Sequence, residues 1–573
     1  MILTAQQQAV VDADGNVLLL ACPGSGKTRS AAERAARLVS TPGTKVAICS
    51  YTNVGAERIG RVLANELGVA LGREHFLGTI HKFLHRYVLR PYAHLLGAER
   101  GPFVHEGGGW PDLRVHDDNK QRITLDRFRC DASGQLVVTQ IPRGVAGTEE
   151  EIVASVGAEV KRRKAAIFRR AGVLTADDAM WIALKLLRGF PDIAAAAGGR
   201  FDEVLLDEAQ DTSELQLACL DVLHETGALR SLVLVGDLEQ SIFSFQGASA
   251  ARCAKLARDR SLSVLTLDEN HRSSQLICNV AINFCSREMP DQAVGPHAGC
   301  DIPPEVALYP VKDPGAAMAL YRERLAAHGL GVADATVLAR GWKVVDALNG
   351  RTPLFDDDDR QYRLGQLAAR LAEGTLTQRD VEGAQRLISY CVWDTTHVGE
   401  LEDDERRTLR KSAGELLERL PVLDGDVRSW LVAARTVLHD VASSSKTDVA
   451  HTGGQAIRTK PDHANHLAAD VFAPALRDLH ARTVHSFKGE DSDAVMVVIR
   501  RYIVSDPTSQ LELWEAAVAG ANPEPEKAEE QRVLFVALTR ARRYCLVALP
   551  DDARGRNVAA SCANLGFDLV AQA

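Results

Sequence analysis

Along the first ninety or so residues, short apolar runs alternate with stretches whose apolar positions recur at helical spacing. NVLLLA is followed by RSAAERAARLV, and KVAICSY by GAERIGRVLANEL. This βαβα alternation predicts a parallel sheet covered by helices. From about Tyr87 to Arg200 the rhythm breaks into a Gly/Pro-rich piece, GPFVHEGGGWPDL, a basic helix-like run, EVKRRKAAIFRRAG, and an alanine-rich helix. Strand-like segments then return as EVLLDEA, SLVLVGD and SVLTLDEN. A second set begins near residue 305 with EVALYPV and ATVLAR and resumes much later with RTVHSF, DAVMVVI and RYCLVAL. Between Trp342 and about Arg482 the chain reads as helical and highly charged, with an acidic loop, FDDDDRQ, and a linker-like SSSKTDVAHTGGQAIRTKPD. The pattern therefore predicts two α/β domains, each interrupted by a mainly helical insertion.

Composition changes this picture little. The 573 residues are 46% hydrophobic and 25% charged, as in ordinary globular proteins. No apolar run approaches the ~18 residues of a membrane span. MILTAQQQAVVD lacks a basic segment followed by an apolar core, so no secretory signal is expected and the expected compartment is the cytoplasm. The eleven cysteines fall without CxxC or metal-ligand spacing, which reads as reduced thiols. His451, His463 and His466 lack the cysteine or carboxylate spacing a metal site would need. A net charge of −9 argues weakly against nucleic acid, because a basic groove can sit on an acidic protein.

Candidate chemistry starts at ACPGSGKT, between the first strand and first long helix pattern. Glycines let successive N–H groups point at phosphate oxygens, and the helix N-terminus adds its positive end. Lys27 is placed for the β/γ-phosphates and Thr28 for Mg²⁺. Ala21 stands where such loops usually carry a first glycine, but the phosphate-facing amides belong mainly to residues 23–28. In FDEVLLDEAQD the apolar VLL delivers Asp207 and Glu208 to the strand's C-terminal end, where ligands gather in open parallel sheets. Asp207 suits Mg²⁺ coordination through water, and Glu208 suits proton abstraction from an attacking water.

These motifs and several others, in one order along the chain, resemble the UvrD/Rep/PcrA-type superfamily 1 DNA helicases. LTAQQQAV resembles the family's adenine-reading Q motif, with Gln6 the reader and Gln7 an alternative. The family's own phosphate loop often begins with alanine. SYTNVGAERI resembles TFTNKAA, GTIHKF resembles TFHSF, and DEAQD is the family's Walker B form. VGDLEQSIFSFQGA is similar to VGDxxQSIYxFRGA, LDENHRSS to LxxNYRS, TVHSFKGEDSDAV to xxHxxKGxE, and EEQRVLFVALTRAR to EERRLLYVALTRAK.

The resemblance implies two RecA-like domains with ATP and Mg²⁺ between them: 1A from 1–86 and 201–300, 2A from 301–342 and 481–573. The insertions 87–200 and 343–480 would be the family's 1B and 2B. Carried residue by residue, Ala21, Cys22, Pro23, Gly24, Ser25, Gly26, Lys27, Thr28 and Arg29 would hold phosphates, Gln240 would sense the γ-phosphate, and Arg272 and Arg540 would be arginine fingers. His271 takes the place of an adenine-stacking tyrosine. In KGEDSD, Glu490 stands one place early and Asp491 occupies the ribose-binding slot, and either could meet the ribose. Thr52, Asn53, His81, Thr483 and His485 fall at the family's single-stranded DNA contacts, with Tyr51, Phe243 and Phe245 at or near its base-stacking positions. Gln246 replaces the usual arginine of FRGA.

The implied activity is a DNA-dependent ATPase moving 3′→5′ on single-stranded DNA and unwinding duplex. The setting is DNA repair or antiphage defence. The compact size and KGExxDA form are similar to Gabija-type antiphage helicase subunits, which implies a nuclease partner. The alternative is a nucleotide-dependent DNA- or nuclease-binding switch with slow hydrolysis. RNA as the track is a third, weaker reading. The run KRRKAAIFRR fits a DNA-facing helix or a solvated face equally well.

Overall fold

The computed structural model describes residues 3–570, apart from 106–109, 118–120, 143, 243–249, 312, 314, 350–359, 373, 375, 377, 395–400, 402, 447, 458–463, 466, 473–478, 500–509 and 522–526. Its frame is two six-stranded sheets in which every pairing is parallel. The first uses β1 (Val17–Ala21), β2 (Val46–Ser50), β3 (Phe76–Thr79), β4 (Glu203–Asp207), β5 (Ser231–Gly236) and β6 (Ser263–Leu267), in the order β6-β1-β5-β4-β2-β3. The second uses β7 (Glu305–Tyr309), β8 (Ala335–Ala339), β9 (Ala481–Thr483), β10 (Ser492–Val498), β11 (Ala541–Pro550) and β12 (Asp568–Leu569), ordered β9-β8-β10-β11-β7-β12.

The inner strands are apolar at nearly every position because helices cover both faces, leaving no solvent side to demand alternation. VAICS and SLVLVG are buried throughout, whereas the edge strand SVLTL is mostly open. Each sheet carries one hydrophobic core per face. Leu18, Leu206 and Leu234 point to one face of the first sheet; Leu19, Leu205 and Val233 point to the other. The second sheet divides likewise, with Val495 and Val497 on one side and Ala494 and Met496 on the other. These are two RecA-like parallel-sheet domains.

The stretch 87–200 is less uniformly helical than its pattern predicts. It contributes one parallel strand pair (103–104 with 173–174) and two antiparallel ones (112–114 with 122–124, 128–130 with 136–138). Its long helix, Glu149–Ala171, starts in a Thr148–Glu151 capping box and stops at Gly172, whose φ of 70° suits glycine. Of the basic run on this helix, Arg162 and Arg163 pair with Glu159, and Lys164 pairs with Asp178. The helix Ala176–Gly189 packs into the first sheet's own core through Met180, Ala183 and Leu184. The stretch 343–480 has only helices as its regular elements among the described residues, with one isolated bridge between Asp426 and Leu467, and has a separate core around Leu364, Ile388, Leu416, Trp430 and Leu438.

Candidate functional site

The phosphate-loop sequence occupies the turn from β1 into the helix Lys27–Val39. Gly24 and Gly26 have φ of 73° and 80°, a region open to glycine but costly for other residues. Gly24 is needed for a second reason. A Cβ there would lie 2.5 Å from Arg272 Cβ, and His271 N–H donates to the Gly24 carbonyl at 3.0 Å. The loop thus packs directly against the segment Asn270–Arg272 that leaves the first domain. Ser25 Oγ donates to the Cys22 carbonyl at 2.8 Å, and Cys22 N–H to the Leu267 carbonyl at 2.8 Å, stitching the loop closed. Ala21 is the last residue of β1, beneath the loop.

Opposite the loop, β4 ends in Asp207, which is buried, and Glu208, at φ 55° and ψ 41°. A left-handed conformation costs a non-glycine residue about 1–2 kcal/mol, and here it turns the Glu208 carboxylate back over the loop. Glu208 Oε2 accepts from Lys27 Nζ at 2.8 Å and from Gln210 Nε2 at 2.6 Å. Burial alone would raise the Glu208 pKa, but Lys27 and Lys488 outweigh it and hold the group ionised. For Asp207, burial followed by the adjacent Glu208 charge pushes the pKa up to about 6.

Cations complete the cleft, Arg540 from the second domain and Arg272 from the segment that leaves the first. Arg540 is buried, and its guanidinium donates to Gln240 Oε1 at 2.8 Å; Gln240 Nε2 in turn donates to Asp237 at 2.7 Å. Arg272 donates to Asp491 Oδ2 at 3.2 Å and to the Thr539 carbonyl at 3.0 Å. Burial, with the neighbouring Arg272 adding to it, lowers the Arg540 pKa to about 9, so it stays a cation at neutral pH. The two candidate acids part company here. Glu490 pairs with Arg482 through two contacts of 2.8 Å, while Asp491 takes Arg272 and Arg542.

One cavity of about 710 Å³ is lined by Cys22 to Arg29, Glu208, Gln240, His271, Arg272, Glu490, Asp491 and Arg540. The structure therefore brings most of the sequence-predicted nucleotide residues together. Gln6 stands apart, with its amide bound to Asp268, and Asp207 lies just beneath the wall.

A second, open groove of about 1290 Å³ is lined by Tyr51, Thr52, Asn53 and His81. Lys82, inside GTIHKF, lines it too, as do His85, Arg86 and Arg90, whose charges lie in helical segments beyond that motif. Thr483 and His485 do not reach this groove. Thr483 is buried and accepts from Ser486 N–H, and His485 Nε2 meets the Ile242 carbonyl at 3.0 Å. Phe243, Phe245 and Gln246 lie outside the described residues, as do His463 and His466. His451 pairs with Asp394 and stacks on Tyr390. Among the described residues no group of three His, Cys, Asp or Glu gathers to hold a metal, and no helix is long and apolar enough to cross a membrane.

Three further residues tie the domains together. Lys488 Nζ donates to the Gln240 carbonyl and to Asp211, both at 2.5 Å; Arg532 donates to the Ser241 carbonyl at 2.6 Å; His485 takes the Ile242 carbonyl. Three consecutive carbonyls of the first domain are thus held by side chains of the second. Lys488 and Arg532 sit inside TVHSFKGEDSDAV and EEQRVLFVALTRAR, so their positions were readable although their partners were not.

Comparison with known proteins agrees with this geometry. Residues 3–260 match the UvrD/REP helicase N-terminal domain family. The chain is 28% identical over 317 residues to the ATP-dependent DNA helicase UvrD1 of Mycobacterium leprae, covering 49% of this chain and 39% of the relative. It is 26% identical over 301 residues to the ATP-dependent DNA helicase PcrA of Leuconostoc citreum, covering 50% and 39%. With the ATP-dependent DNA helicase Rep of Escherichia coli it shares 27% identity over 295 residues, covering 48% and 42%. The matched stretch thus spans about two fifths of each relative's length. Loop, carboxylates, glutamine and paired arginines gather around one cleft, and residues 3–260 carry the similarity to the UvrD/REP helicase N-terminal domain family.

Proposed function

We propose that this chain hydrolyses ATP in the cleft between its two RecA-like domains and uses cleft closure to move 3′→5′ along single-stranded DNA, opening duplex. The observation that carries the reading is the opposition of two pairs across one cavity: Lys27 with Glu208 from the first domain, and Gln240 with Arg540 spanning both. In this reading the domains are 1–86 with 201–300 and 301–342 with 481–573, and 87–200 and 343–480 are accessory.

Lys27 neutralises Glu208 while no phosphate is bound. An arriving triphosphate competes for the Lys27 ammonium, and Glu208, freed of its partner, becomes the acceptor for the proton of the attacking water. Gln240 orients that water, and its tie to Arg540 makes the orientation depend on the second domain. Arg540 and Arg272 face charge that grows on the transferred phosphoryl group. Thr28 and Asp207 fit Mg²⁺, which keeps most of its waters and takes only one or two protein oxygens, and which would offset charge on the phosphates. The raised pKa of Asp207 fits this role, since a divalent ion relieves the crowding of two buried carboxylates. Tyr51, Thr52, Asn53 and His81, with the basic residues around them, form the track. The names of the relatives, all ATP-dependent DNA helicases, support the same reading.

Steady-state ATP turnover with and without single-stranded DNA tests it. Stimulation of tenfold or more is expected; turnover indifferent to DNA refutes the motor. Duplexes with a 3′ or a 5′ tail then test polarity, and opening from the 5′ tail alone reverses it.

A further inference from the structure

We infer that Arg287 is a positioning residue that fixes which way the Gln240 amide faces, and with it the hold on the γ-phosphate and the attacking water, although Arg287 lines no part of the nucleotide cavity. The inference rests on the nucleotide-hydrolase reading above, in which Gln240 is the sensor. A glutamine amide has a donor end and an acceptor end of nearly equal shape, so its neighbours decide which end meets a ligand. Gln240 Nε2 donates to Asp237 Oδ2 at 2.7 Å, and its Oε1 accepts from Arg540 at 2.8 Å. Turned over, the amide would set an NH2 against the guanidinium and a carbonyl against the carboxylate. The Asp237 carboxylate thus keeps the carbonyl end toward Arg540. Asp237 is buried, and its Oδ1 accepts from Arg287 Nη2 at 2.7 Å and from the Glu239 N–H at 3.1 Å. The Asp237 N–H donates to Gln210 Oε1 at 3.1 Å, and Gln210 Nε2 reaches Glu208 at 2.6 Å. One residue therefore bears on the sensor directly and on the candidate base through one side chain. Among the described residues, the cation paired with it is Arg287. A buried carboxylate stripped of such a partner does not keep its place.

Arg287 is itself anchored from the far side of the cleft. Ile277, Val280 and Phe284, just before it in the chain, pack into the core of the second sheet, and the Phe284 ring centre lies 4.6 Å from that of Trp514. The adjacent Ser286 N–H donates to Glu239 at 3.3 Å. The Arg287 guanidinium sits 5.3 Å from the centre of the Phe535 ring, on the helix Ala528–Leu538 that leads directly to Arg540. Arg287 reaches Asp237 from a separate cavity of about 390 Å³ behind the phosphate loop, lined also by Cys22, Glu239 and Asp291. One arginine thus touches both supports of the Gln240–Arg540 contact, Asp237 under the amide and Phe535 on the helix that carries the guanidinium. Its other arm provides a control. Arg287 Nη1 donates to Asp291 Oδ1 at 2.7 Å, the same length as the bond to Asp237, and Asp291 lines the rear cavity rather than the nucleotide cavity.

Steady-state ATP turnover and titration calorimetry with ADP and ATPγS, on the full chain and its variants, test this. Arg287→Met is expected to lower kcat about 10²-fold, the cost of a misplaced group at the chemistry. It should weaken ATPγS about tenfold and leave ADP within about twofold, since only the γ-phosphate meets Gln240. General damage to the fold would weaken both nucleotides alike. In a Gln240→Ala background the same substitution should change kcat and the ATPγS:ADP ratio by less than about twofold, because the amide it orients is gone. Asp291→Asn should leave turnover and both affinities within about twofold of the parent. If Arg287→Met does not fold, Arg287→Lys carries the test: it keeps a cation for one carboxylate but not both, and the kcat loss expected is about tenfold, again absent without Gln240. Losses undiminished in the Gln240→Ala background overturn the inference. So does ADP weakened as much as ATPγS, or an Asp291→Asn loss equal to that of the Arg287 variant. A parent that hydrolyses no ATP, with the ATPγS:ADP ratio responding as expected, refutes the proposed function and leaves the hold of Arg287 on Gln240 standing. Binding of neither nucleotide overturns both.

Discussion

At the N-terminal edge of each parallel sheet a buried glutamate opens a strand and is gripped by an arginine from the helix that follows the sheet's first strand. In the first domain Arg34 holds Glu203 through two bonds of 2.9 and 2.7 Å, with side chains only 2% and 4% exposed. In the second, Arg324 holds Glu305 through bonds of 2.9 and 2.5 Å, with Tyr544 Oη as a third donor, and the arginine is 25% exposed. The edges that meet the cleft differ in kind. The first sheet presents a glycine loop and two carboxylates at its C-terminal edge; the second turns its opposite, N-terminal edge to the cleft, with Asp491 just before β10 held by two arginines and Arg540 just before β11. The same scaffold thus carries opposite charges to one cleft, so neither domain holds a complete site.

The largest effects come from breaking either half of that cleft. Glu208→Gln and Arg540→Ala are each expected to lower kcat by about 10³-fold or more, with ADP affinity changed only a few-fold. Their double variant should be little worse than either alone, because the groups act on one transition state. Additive losses would mean the halves work independently. Lys27→Ala is the contrast: it removes the phosphate ligand and should weaken nucleotide binding itself.

Next come the two edge pairs, where exposure alone should decide the outcome. Glu203→Gln leaves Arg34 buried without its counter-charge and is expected to cost about 3–5 kcal/mol. Glu305→Gln leaves the more open Arg324 partly solvated and should cost about half that or less. Denaturant titration of both variants checks the ranking, and equal losses would show that exposure does not set the difference.

Smaller again is the interdomain grip. Lys488→Met and Arg532→Ala each release one carbonyl of residues 240–241 and should lower DNA-stimulated turnover about tenfold, a typical coupling energy between sites, while KM for ATP moves less than about twofold. Unchanged stimulation would sink the idea that the second domain carries the Gln240 segment.

What the sequence made legible follows from distance along the chain. Strands such as VAICS and SLVLVG, and the loop ACPGSGKT, declare themselves within a few residues because burial on both faces and phosphate binding impose local patterns. β3 (FLGT) was not anticipated, being short and mixed, and neither were the small hairpins of 112–138. Pairings between distant residues were out of reach. The choice between Glu490 and Asp491 turns on which of two adjacent side chains faces Arg272, and Gln6 finds its partner 262 residues away. The left-handed turn at Glu208 was also unreadable, since nothing in DEAQD requires it.

The last prediction concerns His485 and separates the grip from the chemistry by pH. Burial first, then the nearby cations Arg340 and Lys488, lowers its pKa to about 4, so at neutral pH it is uncharged and donates through Nε2–H to the Ile242 carbonyl. In the unfolded chain the imidazole takes up its proton near pH 6.5. Between these values the unfolded state binds the extra proton, so stability is full above about pH 6.5 and falls as the pH drops toward 4. Glutamine keeps an N–H donor and does not titrate. His485→Gln should therefore lose less stability than the parent between pH 7.5 and pH 5, by denaturant midpoints measured at both. Parallel losses in the two proteins would place the acid sensitivity in another group, and with it the claim that the Ile242 contact requires a neutral ring.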